Sequence, residues 1–341
     1  KSLRASFWIL APLLARGGAA RVAMPGGDVI GARPVDIHLQ ALTEMGAEIS
    51  VRNGVVVASA PHGLHEANIV FRFPSVGATH QILMAASLTP GTTVIRNAAK
   101  EPEVVALADV LQKMGADVDG AGTSEIVIRG RSELGGFSAD VIGDRIEAAS
   151  YVLSCIAAKG DIRIFGFDPS HFGEFTSMLE ELGARLEVLE GSGLRVEMRG
   201  RPCPIHVTTG PYPHFATDIQ APLLAALTLA DGESTVKETV YEGRFGHVSE
   251  LSRMGAKLSL SGQTATVQGV PKLLGATVEA RDIRAGAAMV VAGLAASGRT
   301  VIEECQHLRR GYERIESKLR GLGAHVVSSA DEQEELSLVG C

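Results

Sequence analysis

The stretch DIHLQALTEMGAEISVRNGVVVA, running from Asp36 to Ala58, decides how the rest of the chain is read. Its first ten residues place apolar side chains three or four positions apart, with acids and polar residues between, which predicts an amphipathic helix over Asp36–Met45. Gly46 is the stop signal. Ala47 to Arg52 reads as a strand, Asn53-Gly54 as a tight hairpin turn, and Val55 to Ala58 as the returning strand.

The Gly-Ala pair that ends this helix recurs at Gly46-Ala47, Gly115-Ala116, Gly183-Ala184, Gly255-Ala256 and Gly323-Ala324, about 70 residues apart. Each copy carries the same anatomy: an apolar helix, a strand, a loop, a second helix, the Gly-Ala pair and further strands. The second helices are predicted over Asp36–Met45, Glu103–Met114, Phe172–Leu182, His247–Met254 and Glu313–Leu322, all amphipathic. The first helices, Ala5–Ala15, Ala78–Leu88, Ile146–Ala158, Ile219–Leu229 and Ile283–Ala296, are apolar nearly all round and are expected to be buried, with Trp8 in the core. Five units do not divide evenly between two similar domains, so a sixth unit ahead of Lys1 is expected.

Composition narrows the function. A net charge of −7 argues against nucleic acid or an anionic membrane as the main partner. Cys155, Cys203, Cys305 and Cys341 form no C-x-x-C pair, a pattern that suits reduced thiols in a cytoplasmic protein better than disulfides or a zinc site. The apolar runs are shorter than the roughly 18 residues a membrane span requires, and no secretory leader is expected from the opening residues.

The buried helices share one more feature. Their polar residues crowd at the N-terminal ends: Lys1-Ser-Leu-Arg4, Ser75-Val-Gly-Ala-Thr79, Asp144-Arg-Ile-Glu147, Thr217-Asp218 and Arg281-Asp-Ile-Arg284. For Ser75, Asp144 and Asp218, simple N-capping is one explanation. Five coincident clusters, arginines included, point instead to a binding site for phosphorylated ligands, since helix N-termini favour anions.

Several strings then carry a resemblance. Met24-Pro-Gly-Gly-Asp-Val-Ile-Gly-Ala-Arg-Pro-Val-Asp-Ile-His38 is similar to the mobile active-site loop of the UDP-N-acetylglucosamine 1-carboxyvinyltransferase family of enolpyruvyl transferases. Ser75–Thr79, Glu101-Pro-Glu103, Asp144–Glu147, Phe215–Asp218, Arg244–Ala256 and Arg310-Gly-Tyr-Glu-Arg314 resemble the same family, in order, over essentially the whole chain. The signature strings of the sister enzymes acting on shikimate 3-phosphate are not seen. The resemblance implies an α/β fold of two inside-out barrels built from these repeats. Residues 1–142 are then the first domain, incomplete at its N-terminus and carrying the mobile loop, and residues 143–341 the second. The implied activity is transfer of the enolpyruvyl group of phosphoenolpyruvate to the 3-hydroxyl of UDP-N-acetylglucosamine with release of phosphate, the first committed step of peptidoglycan precursor synthesis. It implies no metal or organic cofactor, and it leaves the oligomeric state open.

Residue roles follow the same resemblance. Asp28 falls at the general acid, a position that is Cys in most relatives; its rival reading is a solvated loop carboxylate. To donate a proton its pKa must rise well above roughly 3.9, as closure of the glycine-rich loop over ligand would achieve. Arg4, Arg33 and Arg310 are the implied anion clamps, against a default of surface ion pairs. Asp218 is the implied base or hydrogen-bond acceptor for the sugar hydroxyl; its rival role is the cap of the helix beginning at Ile219. Pro34, Val35, Asp36, Ser75, Val76, Gly77 and Val240 match positions holding the uridine, diphosphate and acetamido groups. Glu101, Asp144, Arg145, Asp282 and Arg284 match residues that position the others. His38, His247 and His307 receive no role.

Two departures from the family carry expectations of their own. The family's Lys-Asn pair belongs to a repeat that this sequence does not contain, so the chain alone is expected to be inactive or nearly so, and to expose apolar surface in its first domain. Arg309 occupies a position that is acidic in the relative compared and is expected to alter how Arg310 engages phosphate. The competing reading is a catalytically inactive relative that binds UDP-sugar as a sensor or partner protein.

Overall fold

Gly46, Gly115, Gly183, Gly255 and Gly323 all sit at φ between 89° and 99°, the left-handed region a side chain resists. In each copy the glycine N–H returns to a carbonyl three residues back and the alanine N–H to one five back. Gly46 to Thr43 at 2.9 Å and Ala47 to Leu42 at 3.0 Å are the first example. This is a Schellman stop, and it explains why the pair recurs: glycine ends the helix, and alanine then enters the next strand from a fixed angle.

The structure, a computed structural model, describes residues 4–26, 30–31, 34–328 and 336–340. It divides into two compact units, Lys1–Gly27 with Arg33–Ile142 and Asp28–Ala32 with Gly143–Cys341.

The first unit holds two repeats. One runs α1 (Leu10–Gly17), β1 (Ala19–Ala23), α2 (Asp36–Glu44), β2 (Glu48–Arg52) and β3 (Val55–Ser59). The other runs β4 (Asn68–Val70), α3 (Val76–Ala86), β5 (Thr92–Arg96), α4 (Pro102–Lys113), β6 (Asp117–Asp119) and β7 (Glu125–Arg129). The second unit holds three. The first is α5 (Arg145–Ala158), β8 (Asp161–Phe165), α6 (Phe175–Glu181), β9 (Arg185–Leu189) and β10 (Gly193–Glu197). Next come β11 (His206–Thr208), α7 (Gln220–Leu227), β12 (Glu233–Lys237), α8 (Val248–Arg253), β13 (Lys257–Ser261) and β14 (Thr264–Gln268). The last is β15 (Leu273–Leu274), β16 (Thr277–Glu279), α9 (Ile283–Ala295), β17 (Ala296–Glu303), α10 (Gln306–Arg309), α11 (Ile315–Gly321), β18 (His325–Ser328) and β19 (Leu336–Gly340).

Each repeat makes its own small sheet, and among the described residues none of the sheets closes on itself. The strand after the inner helix pairs antiparallel with the last strand of the repeat, which pairs with the one before it, as in β5–β7–β6 and β12–β14–β13. The predicted hairpin is present: Arg52 faces Val55 across Asn53-Gly54, both at positive φ. Where a strand precedes the inner helix, it lies parallel beside the strand that follows, as β4 does with β5, β11 with β12 and β16 with β17.

In the second unit the inner helices α5, α7 and α9 pack on one another, and every residue of α7 is buried. The expectation of all-round burial fails for α1. That helix packs on one inner partner, α3, and buries Leu10, Ala11 and Leu14, while its Leu13 remains 46% exposed and Ile9, which ends the 3-10 turn Arg4–Ile9 ahead of it, 51%. Apolar composition gave no warning, because it shows that a helix tolerates burial and not how many neighbours cover it. Trp8, expected in the core, is half-buried with its ring edge on His80 at 4.7 Å between centroids. The described residues include no helix long and apolar enough to cross a membrane.

Candidate active site

In the second unit the chain enters α7 through a short turn, Thr217–Ile219, that leaves Asp218 39% exposed at the helix start. Its carboxylate does not cap the helix, so that expected role is not fulfilled. Two guanidiniums hold it instead: Arg244 Nη2 at 2.5 Å from Oδ1, and Arg284 Nη2 at 3.2 Å from Oδ2. Burial pushes the Asp218 carboxyl up, but the charges of Arg244 and Arg284 outweigh it and hold the group far below the usual carboxylate range.

Each arginine is itself held. Arg284 stands in the first turn of α9, whose cap is Asp282, accepting from the N–H groups of Arg284 and Ala285 at 2.8 and 2.9 Å. Its Nη1 donates to Tyr312 Oη at 3.2 Å, and that hydroxyl meets Ser150 Oγ of α5 at 2.7 Å. Arg244 Nη1 donates to Thr217 Oγ1 at 2.7 Å, and its guanidinium also lies over the Tyr241 ring. The starts of α5, α7 and α9 are thus tied into one polar network.

Asp144 caps α5, accepting from Ile146 and Glu147 N–H groups at 2.8 and 3.0 Å. It also borders a cavity of about 430 Å³ with Glu147, Tyr151 and Lys318, whose Nζ donates to Glu147 Oε1 at 2.7 Å. Arg145 is buried with its guanidinium over Tyr212. Val240 is half-buried, its N–H donated to Glu238 Oε1 at 2.7 Å. Arg310 is exposed on the turn between α10 and α11. The neighbouring Arg309 donates from Nη2 to Glu316 Oε1 at 3.0 Å, which directs its charge toward α11.

In the first unit, Arg4 Nη2 reaches the Pro34 carbonyl at 3.4 Å. Ser75 caps α3 by accepting the Ala78 N–H at 3.3 Å. A Cβ on Gly77 would lie 2.7 Å from His38 Cε1 and 3.0 Å from Trp8 Nε1, so only glycine lets the first turn of α3 approach these rings. Burial, aided by the Arg4 charge, pushes His38 down to about 4. Asp36 is ion-paired with Arg72; burial opposes its charge, but that partner and the Ile37 N–H keep its carboxyl below the usual value. Val35 is buried, Val76 half-buried, and Glu101 precedes Pro102 at the start of α4. Asp28 and Arg33 lie outside the described residues.

The sequence reading therefore located Asp218, Asp282 and Arg284, which the structure joins, together with Thr217 in the polar cluster beside Asp218, and missed Arg244, Tyr312 and Glu238. Arg244 and Tyr312 lay inside strings quoted for the resemblance. No spacing rule ties them to an aspartate 26 or 94 residues before them in sequence.

A family model described as EPSP synthase (3-phosphoshikimate 1-carboxyvinyltransferase) matches residues 1–319. The chain belongs to this enolpyruvyl transferase family. It is 50% identical over 325 residues to a UDP-N-acetylglucosamine 1-carboxyvinyltransferase of Azorhizobium caulinodans, covering 95% of this chain and 76% of that protein. Among solved structures, the enolpyruvyl transferase NikO from Streptomyces tendae superposes with a TM-score of 0.82 at 26% identity, over 93% of this chain and 76% of that one. An EPSP synthase from Acinetobacter baumannii shares the fold, with a TM-score of 0.69 at 18% identity over 93% of this chain and 77% of that one.

Proposed function

We propose that this enolpyruvyl transferase joins phosphoenolpyruvate to the 3-hydroxyl of UDP-N-acetylglucosamine and releases phosphate, the first committed step of peptidoglycan precursor synthesis. The observation that carries this reading is 50% identity across 325 residues to a protein of that name. The chemistry adds a proton at C3 of phosphoenolpyruvate, which makes C2 electrophilic. The sugar hydroxyl loses its proton and bonds to C2; loss of a C3 proton and of phosphate restores the double bond.

Asp218 is the acceptor for the hydroxyl proton. Held by two guanidiniums it is ionised but weakly basic. An arriving phosphate or carboxylate competes for Arg244 and Arg284, and each hydrogen bond it takes from them raises the basicity of Asp218. Base strength is thereby tied to occupancy of the anion site. Arg4, Arg33 and Arg310 complete the anion contacts, and Asp28 supplies the proton to C3. Pro34, Val35, Asp36, Ser75, Val76, Gly77 and Val240 hold the sugar nucleotide. Glu101, Asp144, Arg145 and Asp282 fix these groups in place.

The test is phosphate release from phosphoenolpyruvate, measured on this chain and on the natural gene product, with UDP-N-acetylglucosamine or shikimate 3-phosphate as acceptor. Release that requires UDP-N-acetylglucosamine supports the reading. Binding of the sugar nucleotide without any release contradicts it. Fosfomycin acts in this family by alkylating the loop cysteine, so with Asp28 in that place it is expected to cause no time-dependent inactivation; time-dependent inactivation with a covalent adduct on Asp28 would refute that expectation.

A further inference from the structure

Glu238 directly follows β12 and has no exposed surface, and four donors converge on its carboxylate. Oε1 accepts from Thr209 Oγ1 at 2.9 Å, Val240 N at 2.7 Å and Tyr241 N at 3.1 Å. Oε2 accepts from Thr217 Oγ1 at 2.8 Å. Thr209 is tied in turn to Thr239, accepting its N–H at 2.8 Å and receiving its hydroxyl on the backbone carbonyl at 2.6 Å. Among the described residues no lysine or arginine is bonded to this carboxylate directly.

The Thr217 hydroxyl has a single proton. Because it gives that proton to Glu238, its oxygen lone pairs face away and accept Arg244 Nη1 at 2.7 Å. Arg244 is then pinned at both ends of its guanidinium, Nη1 on Thr217 and Nη2 on Asp218. We infer that Glu238 is a positioning residue: by fixing the direction of the Thr217 hydroxyl it aims Arg244 at Asp218, and with its other oxygen it sets the Val240–Tyr241 turn. Its oxygens thus serve two parts of the site at once, the arginine beside the acceptor carboxylate and the backbone assigned to the sugar nucleotide. The catalytic consequence rests on the proposed function, whereas the effect on Arg244 does not.

Two readouts separate them. The first is side-chain NMR of the unliganded chain, following rotation about the Arg244 Nε–Cζ bond. Slow rotation is expected in the wild type and in Thr217→Ser, and fast rotation in Thr217→Val, which has the same shape without the hydroxyl. Glu238→Gln is expected to show fast rotation too, since its amide faces Thr217 and turns the hydroxyl proton toward Arg244. Slow rotation in Thr217→Val overturns the inference whatever the activity, and does so even where Glu238→Gln fails to fold. The second readout is turnover in the phosphate-release assay with thermal melting as control. Thr217→Val is expected to lose about tenfold or more in kcat with an unchanged melting temperature, and Thr217→Ser to recover it. An active wild type with unimpaired Thr217→Val overturns the catalytic part; an inactive wild type removes the proposed function and leaves the NMR result to decide the positioning.

Discussion

α7 of the second unit and α1 of the first hold the same place in their repeats and are both largely apolar, yet they live differently. Two inner helices flank α7 and no residue of it reaches solvent; one flanks α1, and Ile9 and Leu13 stay exposed. The polar ends follow the same division. In the second unit, three helix starts converge on Asp218 through Arg244, Arg284, Tyr312 and Ser150. In the first, Arg4 makes a long contact with the Pro34 carbonyl, and Ser75 serves as a cap. The third helix therefore brings both a closed core and a place where charge is neutralised by partners from separate segments of the unit.

Substitution in the two helices gives the largest expected difference. Leu224→Ala in α7 removes a fully buried side chain and is expected to cost about 2–5 kcal/mol in urea unfolding. Leu13→Ala in α1 is expected to cost about 0.5 kcal/mol or less, the ordinary value for a surface position. Equal losses would break the comparison.

Acid comes next, and here the units behave alike. His38 and His247 are buried and both are pushed down to about 4, mainly by desolvation. The unfolded chain protonates them near 6.5, so it binds more protons than the folded state between pH 6.5 and 4. Stability is then expected to fall as pH drops through that window, by roughly 3 kcal/mol per histidine at most. Replacing either by glutamine and repeating the denaturation at pH 7 and 4.5 should flatten the dependence; an unchanged slope would refute the assignment. A smaller effect than the histidines give belongs to Ser75→Ala, about 1 kcal/mol from loss of the α3 cap, read from the same urea titration.

Much of this was legible beforehand where the physics is local. The five glycines announced themselves because a Schellman stop demands a left-handed residue at one position, and the helices predicted before them end there. The Asn53-Gly54 hairpin was readable for the same reason. The environment of Asp218 was not, since an aspartate ahead of an apolar helix looks identical whether it caps the helix or bonds two arginines, one further along its own repeat and one from the next. The bare flank of α1 could not be placed from the helix's own residues, since covering a helix is a property of its neighbours; the repeat count announced exposed apolar surface in the first domain without saying where. Glu238 carried no signal at all, because a buried carboxylate serving four donors from two segments has no pattern in the chain.

The central claim is that Asp218, held between Arg244 and Arg284, accepts the proton of the sugar hydroxyl. Its most direct test is the Asp218→Asn variant in the phosphate-release assay, with sugar-nucleotide binding and thermal melting measured in parallel. The account predicts a loss of turnover of roughly 10²–10⁴-fold, the range for removal of a general base, with binding within a few-fold of wild type and a cooperative melt retained. Turnover close to wild type, with the variant folded and binding, would contradict it.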